Sequence, residues 1–156
     1  MRLNISKILH TSIVDGPGVR TVIFFQGCSR KCLGCHNPTS HDHTKGLVYT
    51  IHDLMEEIKN ISVTKKITIS GGEPMEQLNG LKEVVDQLYG NGFNICLYTS
   101  NQIEDIPKEI LKKIQYLKVG TFEIKEKDST LQYKGSRNQK FYRISYEGEL
   151  LCKQEI

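Results

Sequence analysis

The sequence contains no long apolar segment, and this absence limits where the protein can act. No apolar run approaches the roughly 18–20 residues that a membrane-spanning helix needs. The beginning of the chain, Met1–Ser6, is too polar for a secretory signal. We therefore expect a cytoplasmic protein that has no membrane partner.

The sequence also has little excess charge. The formal net charge of +3 is too small to argue for a nucleic acid partner, and none is expected. Lysine pairs such as Lys65–Lys66 are typical of solvated surfaces. Repeats, low-complexity tracts and interdomain linkers are absent, so the sequence predicts a single domain over residues 1–156.

The cysteines do not form a disulfide framework. Their number is odd, five, and three of them (Cys28, Cys32 and Cys35) fall within eight residues. Thiols stay reduced in the cytosol, and closely spaced thiols there are more typical of a metal site than of disulfides.

Strand-like and helix-like segments alternate along the chain. Five segments predict strands, at 19–26, 66–70, 93–99, 116–119 and 141–146. Three predict helices, at 50–61 with Thr50 as its cap, at 76–89 with Gly90 as its stop, and at 106–114. Residues 120–139 show no clear period. This order predicts an α/β fold with a mostly parallel sheet, as a partial, open βα barrel; a Rossmann-like sheet is the alternative.

The arrangement C-x3-C-x2-C at Cys28, Cys32 and Cys35 follows a predicted strand. Full ligation of a four-iron cluster takes four thiolates, so three would leave one iron open for a ligand. Two alternatives remain. His36 could complete a zinc site with the three cysteines, or Cys96 or Cys152 could close the cluster and make an electron carrier.

The residues outside that loop that could bind metal are weaker candidates. Cys96 lies within a strand and is more typical of a core residue. Cys152 lies near the C-terminus, where order is doubtful. His41 and His43 are expected to be surface residues.

Three longer motifs resemble a known family. Val14–Thr21 (VDGPGVRT), Phe24–Cys28 (FFQGC) and Cys35–Pro38 (CHNP) resemble the glycyl-radical-enzyme activases of the radical S-adenosylmethionine superfamily. Ser70–Pro74 (SGGEP) is similar to the second motif of that superfamily. The short chain, Gly34 before the third cysteine, and GSRNQ at residues 135–139 are similar to the subfamily that activates anaerobic ribonucleoside-triphosphate reductase.

The resemblance implies an enzyme that binds a [4Fe–4S] cluster and S-adenosylmethionine. One electron would cleave S-adenosylmethionine to methionine and a 5′-deoxyadenosyl radical, which would generate a glycyl radical on the large subunit of the reductase. Cys28, Cys32 and Cys35 would hold the cluster and act as the catalytic residues. The implied cofactor-binding set is Gly34, Cys35, His36, Asn37, Gly71, Gly72 and Glu73.

Some of these residues have a plausible physical role. Gly71 and Gly72 would let the backbone approach a ligand closely, and Glu73 would pair with the ammonium group of the cofactor. Gly16–Gly18 receives no chemical role. One region departs from the family: the aspartate-rich strand is replaced by Leu117–Phe122 (LKVGTF), so no cofactor contact is assigned there.

The resemblance also implies protein partners. The open mouth of a partial barrel and residues 120–139 would dock the reductase. Arg30 and Lys31, inside the cysteine loop, would attract an acidic one-electron donor such as flavodoxin. The competing hypotheses are a superfamily enzyme that acts on a small molecule, and a zinc-binding module or electron-carrier subunit.

Overall fold

The computed structural model describes all 156 residues and has one sheet of eight strands, in the order β3-β1-β2-β4-β5-β6-β7-β8. The strands are β1 Arg2–Ser12, β2 Arg20–Phe25, β3 Leu47–Thr50, β4 Lys66–Gly71, β5 Asn94–Tyr98, β6 Tyr116–Val119, β7 Lys140–Glu147 and β8 Leu150–Glu155. The helices are α1 Ile51–Ile61, α2 Leu78–Gly90 and α3 Lys108–Leu111.

The centre of the sheet is parallel. Strands β2, β4, β5 and β6 pair in parallel, and their order across the sheet is the order in which they occur along the chain. Antiparallel strands extend the sheet at both sides, β1 and β3 next to β2, and β7 and β8 next to β6. Strands β3 and β8 remain unpaired at their outer edges, so the barrel is open. The predicted α/β fold with an open βα barrel is confirmed.

All three helices cover one face of the sheet. Thr50 caps α1 as predicted, because its hydroxyl accepts a hydrogen bond from the Asp53 backbone at 3.0 Å. One large cluster of buried apolar residues joins the helices to alternate strand residues, among them Ile23 and Phe25 of β2. A doubly wound Rossmann-like sheet would need helices on both faces, so the barrel-type arrangement explains the pattern better.

The opposite, inner face of the sheet carries a buried arginine. Arg20 is 1% exposed and its guanidinium donates only to neutral acceptors. These are the Pro17 carbonyl at 2.8 Å, the Ile67 carbonyl at 2.8 Å, the Asn94 carbonyl at 3.0 Å with its side-chain oxygen at 2.8 Å, and the Thr68 hydroxyl at 2.9 Å. Arg20 therefore fastens the Gly16–Gly18 turn to β4 and β5, which gives that motif a structural role.

We expect an Arg20→Met variant to lose about 3 kcal/mol of unfolding free energy. Several buried acceptors would lose their donor, and each unpaired acceptor costs about 1–3 kcal/mol. Part of this cost is offset because the variant no longer has to bury a charged guanidinium. Urea unfolding measures the loss. Arg143→Met is the matched control, since Arg143 is exposed and lies 5.9 Å from the ring centre of Tyr116, against which Arg20 also packs. Equal stability of the two variants would contradict this role.

Several predicted boundaries are wrong. Helix α2 begins at Leu78 and not at residue 76, whereas it ends at Gly90, the predicted stop, and Gly92, with φ +77, makes the left-handed turn after it. Helix α3 covers only Lys108–Leu111 of the predicted 106–114. Strands β1, β3 and β8 were not predicted, and Cys152 lies in ordered pairing with Ser145 of β7.

None of the helices has the length and apolar character required to cross a membrane.

Candidate active site

A cavity opens at the carboxyl ends of the parallel strands. Its volume is about 130 Å³, whereas one water needs only about 10–15 Å³ on that measure. It is bordered by the cysteine loop, the turn after β4, the ends of β5 and β6, and residues 135–139. Ligands bind at this end of the strands in α/β folds, so this is the candidate active site.

The structure brings nearly all predicted site residues to this cavity. Those that line it are Cys28, Cys32, Cys35, His36, Asn37, Gly71, Gly72 and Glu73. Gly34 is the exception. It adopts φ +75, and a Cβ built on it would lie 2.7 Å from Cδ1 of Ile124, so the glycine allows this side chain to pack on the loop. A cofactor contact by Gly34 stays a prediction.

The cysteine loop is held by its return segment. The Gly27 backbone donates to the Ser40 carbonyl at 2.7 Å, and the Cys28 backbone to the His41 carbonyl at 3.1 Å. Within the loop, the Cys35 backbone donates to the Cys32 carbonyl at 3.1 Å. These bonds direct the three cysteines towards one cavity.

The three thiols differ in burial. Cys28 is 8% exposed and burial raises its pKa, whereas Cys32 and Cys35 are partly exposed. The Cys35 sulfur accepts a hydrogen bond from the Asn37 backbone at 3.3 Å. All are free thiols.

The donor set fits an iron–sulfur cluster. Its members are all thiols, the ligands that such clusters use. They surround a cavity, and nowhere do three His, Cys, Asp or Glu side chains converge as one metal ion would require. His36, the fourth ligand of the zinc alternative, packs its ring 5.3 Å from that of Phe122.

The other two cysteines lie away from the cavity. Cys96 is 0% exposed in the core, as expected, and burial raises its pKa to about 12. Cys152 lies in the edge strand β8. Neither lines the cavity with the three loop cysteines.

The turn after β4 packs directly on the cysteine loop. The Gly72 backbone donates to the Phe25 carbonyl at 2.8 Å, and the Glu73 backbone to the Gly27 carbonyl at 2.9 Å. A Cβ on Gly71 would lie 2.2 Å from the Phe25 nitrogen, and one on Gly72 would lie 2.3 Å from the Gly27 oxygen. The close approach that we predicted towards a ligand is thus made to the backbone of the chain itself.

The Glu73 carboxylate is buried at the cavity, 3% exposed. One oxygen accepts from the Met75 backbone at 3.0 Å and the Thr99 hydroxyl at 2.7 Å. The other accepts from the Ser100 backbone at 2.8 Å and from the Ser100 hydroxyl. Glu73 therefore ties the turn to the end of β5 and carries a charge with no cationic partner.

The GSRNQ segment closes the far side of the cavity. The Gln139 side chain accepts from the Gly135 backbone at 2.9 Å and donates to the Gly120 carbonyl at 2.9 Å. This motif thus connects residues 135–139 to the end of β6, and Gly135 and Gln139 both line the cavity.

Sequence reasoning missed several residues that line the cavity, namely Arg30, His41, Ser70, Tyr98, Thr99, Ser100, Lys118 and Phe122. The expectation that His41 lies on the surface is wrong, because its Nε2 is buried and has no hydrogen-bond partner. His43 is exposed as expected, with Nε2 3.6 Å from Glu76. The burial of His41 was hard to predict from the sequence, because it depends on the hydrogen bond that the His41 carbonyl accepts from the Cys28 backbone.

Comparison with known proteins gives three kinds of similarity. Residues 14–142 match the model of a family described as "4Fe-4S single cluster domain". The anaerobic ribonucleoside-triphosphate reductase-activating proteins of Enterobacteria phage T4 and Vibrio cholerae are 29% and 27% identical; the alignments cover 90% and 92% of this chain, and 94% and 99% of those proteins.

A pyruvate formate-lyase-activating enzyme from Staphylococcus epidermidis is 37% identical over 93 residues, which are 56% of this chain and 37% of that protein. Among solved structures, QueE from Escherichia coli superposes with a TM-score of 0.55 at 22% identity, over 65% of this chain and 53% of that one. This last similarity supports the fold.

Proposed function

Because the chain belongs to the family of 4Fe-4S single cluster domains, we propose that it activates anaerobic ribonucleoside-triphosphate reductase as a radical S-adenosylmethionine enzyme. The single observation that carries the proposal is the cavity, where three free thiols from one loop face the turn that contains Glu73. The length and names of the reductase-activating relatives support the choice of protein substrate.

The proposed cofactor chemistry is one-electron cleavage. When bound, a [4Fe–4S] cluster supplies the electron that splits S-adenosylmethionine into methionine and a 5′-deoxyadenosyl radical, which takes a hydrogen atom from a glycine of the reductase. Cys28, Cys32 and Cys35 would hold the cluster with three thiolates, and His36, Asn37 and Gly34 would border it.

The residues of the chain then bind and orient the reactants. Glu73 would attract the ammonium group of S-adenosylmethionine, since its buried charge has no cation beside it. The backbone N–H groups of Gly72 and Glu73 hold the turn against the Phe25 and Gly27 carbonyls, next to the cysteine loop. Fixing the cofactor in one cavity makes the electron and hydrogen transfers effectively intramolecular, which is the main contribution that we assign to the protein.

The mouth of the cavity suits a protein substrate. Leu33 in the cysteine loop is 78% exposed and Ile124 beyond β6 is 40% exposed, so apolar side chains face solvent near the cavity. Exposed apolar residues near a site often mark protein contacts. We assign this mouth and residues 120–139 to docking of the large reductase subunit. We also propose that the reaction takes place in the cytoplasm, since free thiols are kept reduced there.

The direct test is an anaerobic mixture of this protein, S-adenosylmethionine, a chemical reductant and the reductase. We expect an EPR doublet from a glycyl radical on the reductase, together with 5′-deoxyadenosine. Formation of 5′-deoxyadenosine without the doublet would point to another substrate. Formation of neither, by protein that contains iron and sulfide, would refute the proposed function.

A one-electron donor such as flavodoxin is part of the proposal. Arg30 donates to the Thr121 hydroxyl and the Asn101 side chain, both at 3.1 Å and both neutral, and Lys31 is exposed, so their charges are uncompensated. We expect the double variant Arg30→Ala, Lys31→Ala to slow reduction by flavodoxin about tenfold at low salt and to weaken its salt dependence, because complementary charge accelerates encounter.

Stopped-flow absorption measures this reduction. The matched control is Lys65→Ala, Lys66→Ala, which removes the same charge at the opposite end of β4. Reduction by dithionite should be equal in all three proteins. Unchanged flavodoxin kinetics in the Arg30, Lys31 variant would rule out this docking site.

A further inference from the structure

A carboxylate outside the cavity binds the cysteine loop directly. Glu76 lies in the short 3₁₀ helix Pro74–Gln77, which follows the SGGEP turn. Its Oε2 accepts a hydrogen bond from the Ser29 backbone at 2.9 Å, and its Oε1 accepts from the same N–H at 3.2 Å and from the Ser29 hydroxyl. Because Ser29 directly follows Cys28, the carboxylate holds the peptide that joins the first cysteine to the rest of the loop.

This contact fixes a part of the loop that backbone hydrogen bonds leave free. Backbone bonds to the return segment hold Gly27 and Cys28, whereas the N–H and the hydroxyl of Ser29 are bound by the Glu76 side chain. Two residues further on, Lys31 adopts φ +48, a left-handed conformation that costs energy in a residue with a side chain. A strained turn persists only where its surroundings fix it, and Glu76 supplies such a fixed point at its beginning.

The same side chain places a negative charge beside Cys28. Burial disfavours the charge of Glu76, but the hydrogen bonds from Ser29 outweigh burial and lower its pKa, so Glu76 is ionised at neutral pH. No lysine or arginine pairs with it; its ion-pair partner is the half-exposed His43, whose Nε2 lies 3.6 Å from Oε1. The charge of Glu76 is therefore only weakly compensated by the chain.

We propose that Glu76 is a positioning residue that fixes the Cys28 end of the cluster-binding loop and, through its charge, keeps the reduction potential of the cluster low; this inference rests on the proposed function. Nearby charge is one of the factors that set the potential of an iron–sulfur cluster, and a negative charge opposes the addition of an electron. Glu76 does not line the cavity, so it acts through Ser29 and through its field. The carboxylate of Glu73 has different partners, Thr99 and Ser100, so it does not duplicate this contact.

Two variants of Glu76 separate the hydrogen bonds from the charge. Glu76→Gln keeps an oxygen that can accept from Ser29 but removes the charge, whereas Glu76→Ala removes both. The first measurement is the rate at which an iron chelator strips iron from anaerobic protein that contains its iron and sulfide. We expect Glu76→Ala to lose iron about tenfold faster than the wild type, because the hydrogen bonds to Ser29 are lost. Glu76→Gln should lose iron at about the wild-type rate.

The second measurement is an anaerobic redox titration in which EPR follows the reduced cluster. Both variants should be reduced more easily, with an equilibrium constant about three- to tenfold larger, and tenfold corresponds to ~59 mV for one electron. The matched control is Glu83→Gln, which removes the same charge from the middle of α2, away from the cysteine loop. It should match the wild type in both measurements, and a urea midpoint confirms that each variant is folded.

The outcomes separate the inference from the proposed function. Wild-type protein that holds no iron–sulfur cluster, or whose cluster does not cleave S-adenosylmethionine, would refute the proposed function. If the wild type does both, the inference is overturned by a wild-type potential in Glu76→Gln, or by iron loss from Glu76→Ala that is no faster than from the wild type or from Glu76→Gln. A raised potential in both variants, with rapid iron loss confined to Glu76→Ala, supports the inference.

Discussion

Replacing Cys32 by alanine is expected to remove the bound iron and to abolish 5′-deoxyadenosine formation. The loss should reach at least about three orders of magnitude, or ~4 kcal/mol of transition-state free energy, because the variant cannot complete the three-thiolate set. The fold should survive. Cys32 is only partly exposed in a loop, and the bond from the Cys35 backbone is made to its carbonyl, which alanine retains.

Iron and acid-labile sulfide per chain, with the visible absorption of the protein, measure the first effect, and chromatography of 5′-deoxyadenosine measures the second. Cys152→Ala is the matched control. That thiol is free and lies in the edge strand β8, and its sulfur is 3.9 Å from the Leu150 carbonyl, so its removal should change neither quantity. Iron that survives in Cys32→Ala but is lost in Cys152→Ala would overturn the assignment of the ligands.

The central strands were predictable because burial on both faces leaves a simple pattern. Strand β2 is buried at every residue, and its sequence, RTVIFF, is rich in β-branched and aromatic side chains. Strand β1 was missed because the alternation of its buried Leu3 and Ile5 with polar residues breaks off at Lys7, where its pairing with β2 shifts register. Strand β8 has no buried residue, so only its pairing with β7 defines it. Such pairing is not visible in a local sequence window.

The same distinction applies to the site. The cysteines and the SGGEP turn are contiguous in sequence, so their spacing carries the chemical signal. Tyr98 and Lys118 are twenty residues apart and become neighbours only through the register of β5 and β6. The role of Arg20 also depends on contacts with distant strands. Tertiary contacts that join separate strands therefore limited the prediction, and local propensity did not.

Gly71→Ala should have the largest effect on stability of any conservative change near the cavity. Gly71 adopts φ +117, which side-chain-bearing residues rarely adopt at a cost of about 1–3 kcal/mol. The added Cβ would also lie 2.2 Å from the Phe25 nitrogen and 2.3 Å from its oxygen. Displacing backbone from a packed site costs about 1–3 kcal/mol more. We expect a loss of about 4 kcal/mol, a large share of the stability of a small domain.

Gly90→Ala provides the matched control, because a Cβ there meets no atom within 4 Å and the residue is helical. That substitution should be neutral or stabilise the protein by up to about 1 kcal/mol. Urea unfolding, read as midpoint and slope, measures both variants on one scale. A Gly71→Ala protein that unfolds at the wild-type midpoint would show that β2 and β4 can separate at no cost. The tight contact between the SGGEP turn and the cysteine loop would then not hold the cavity together.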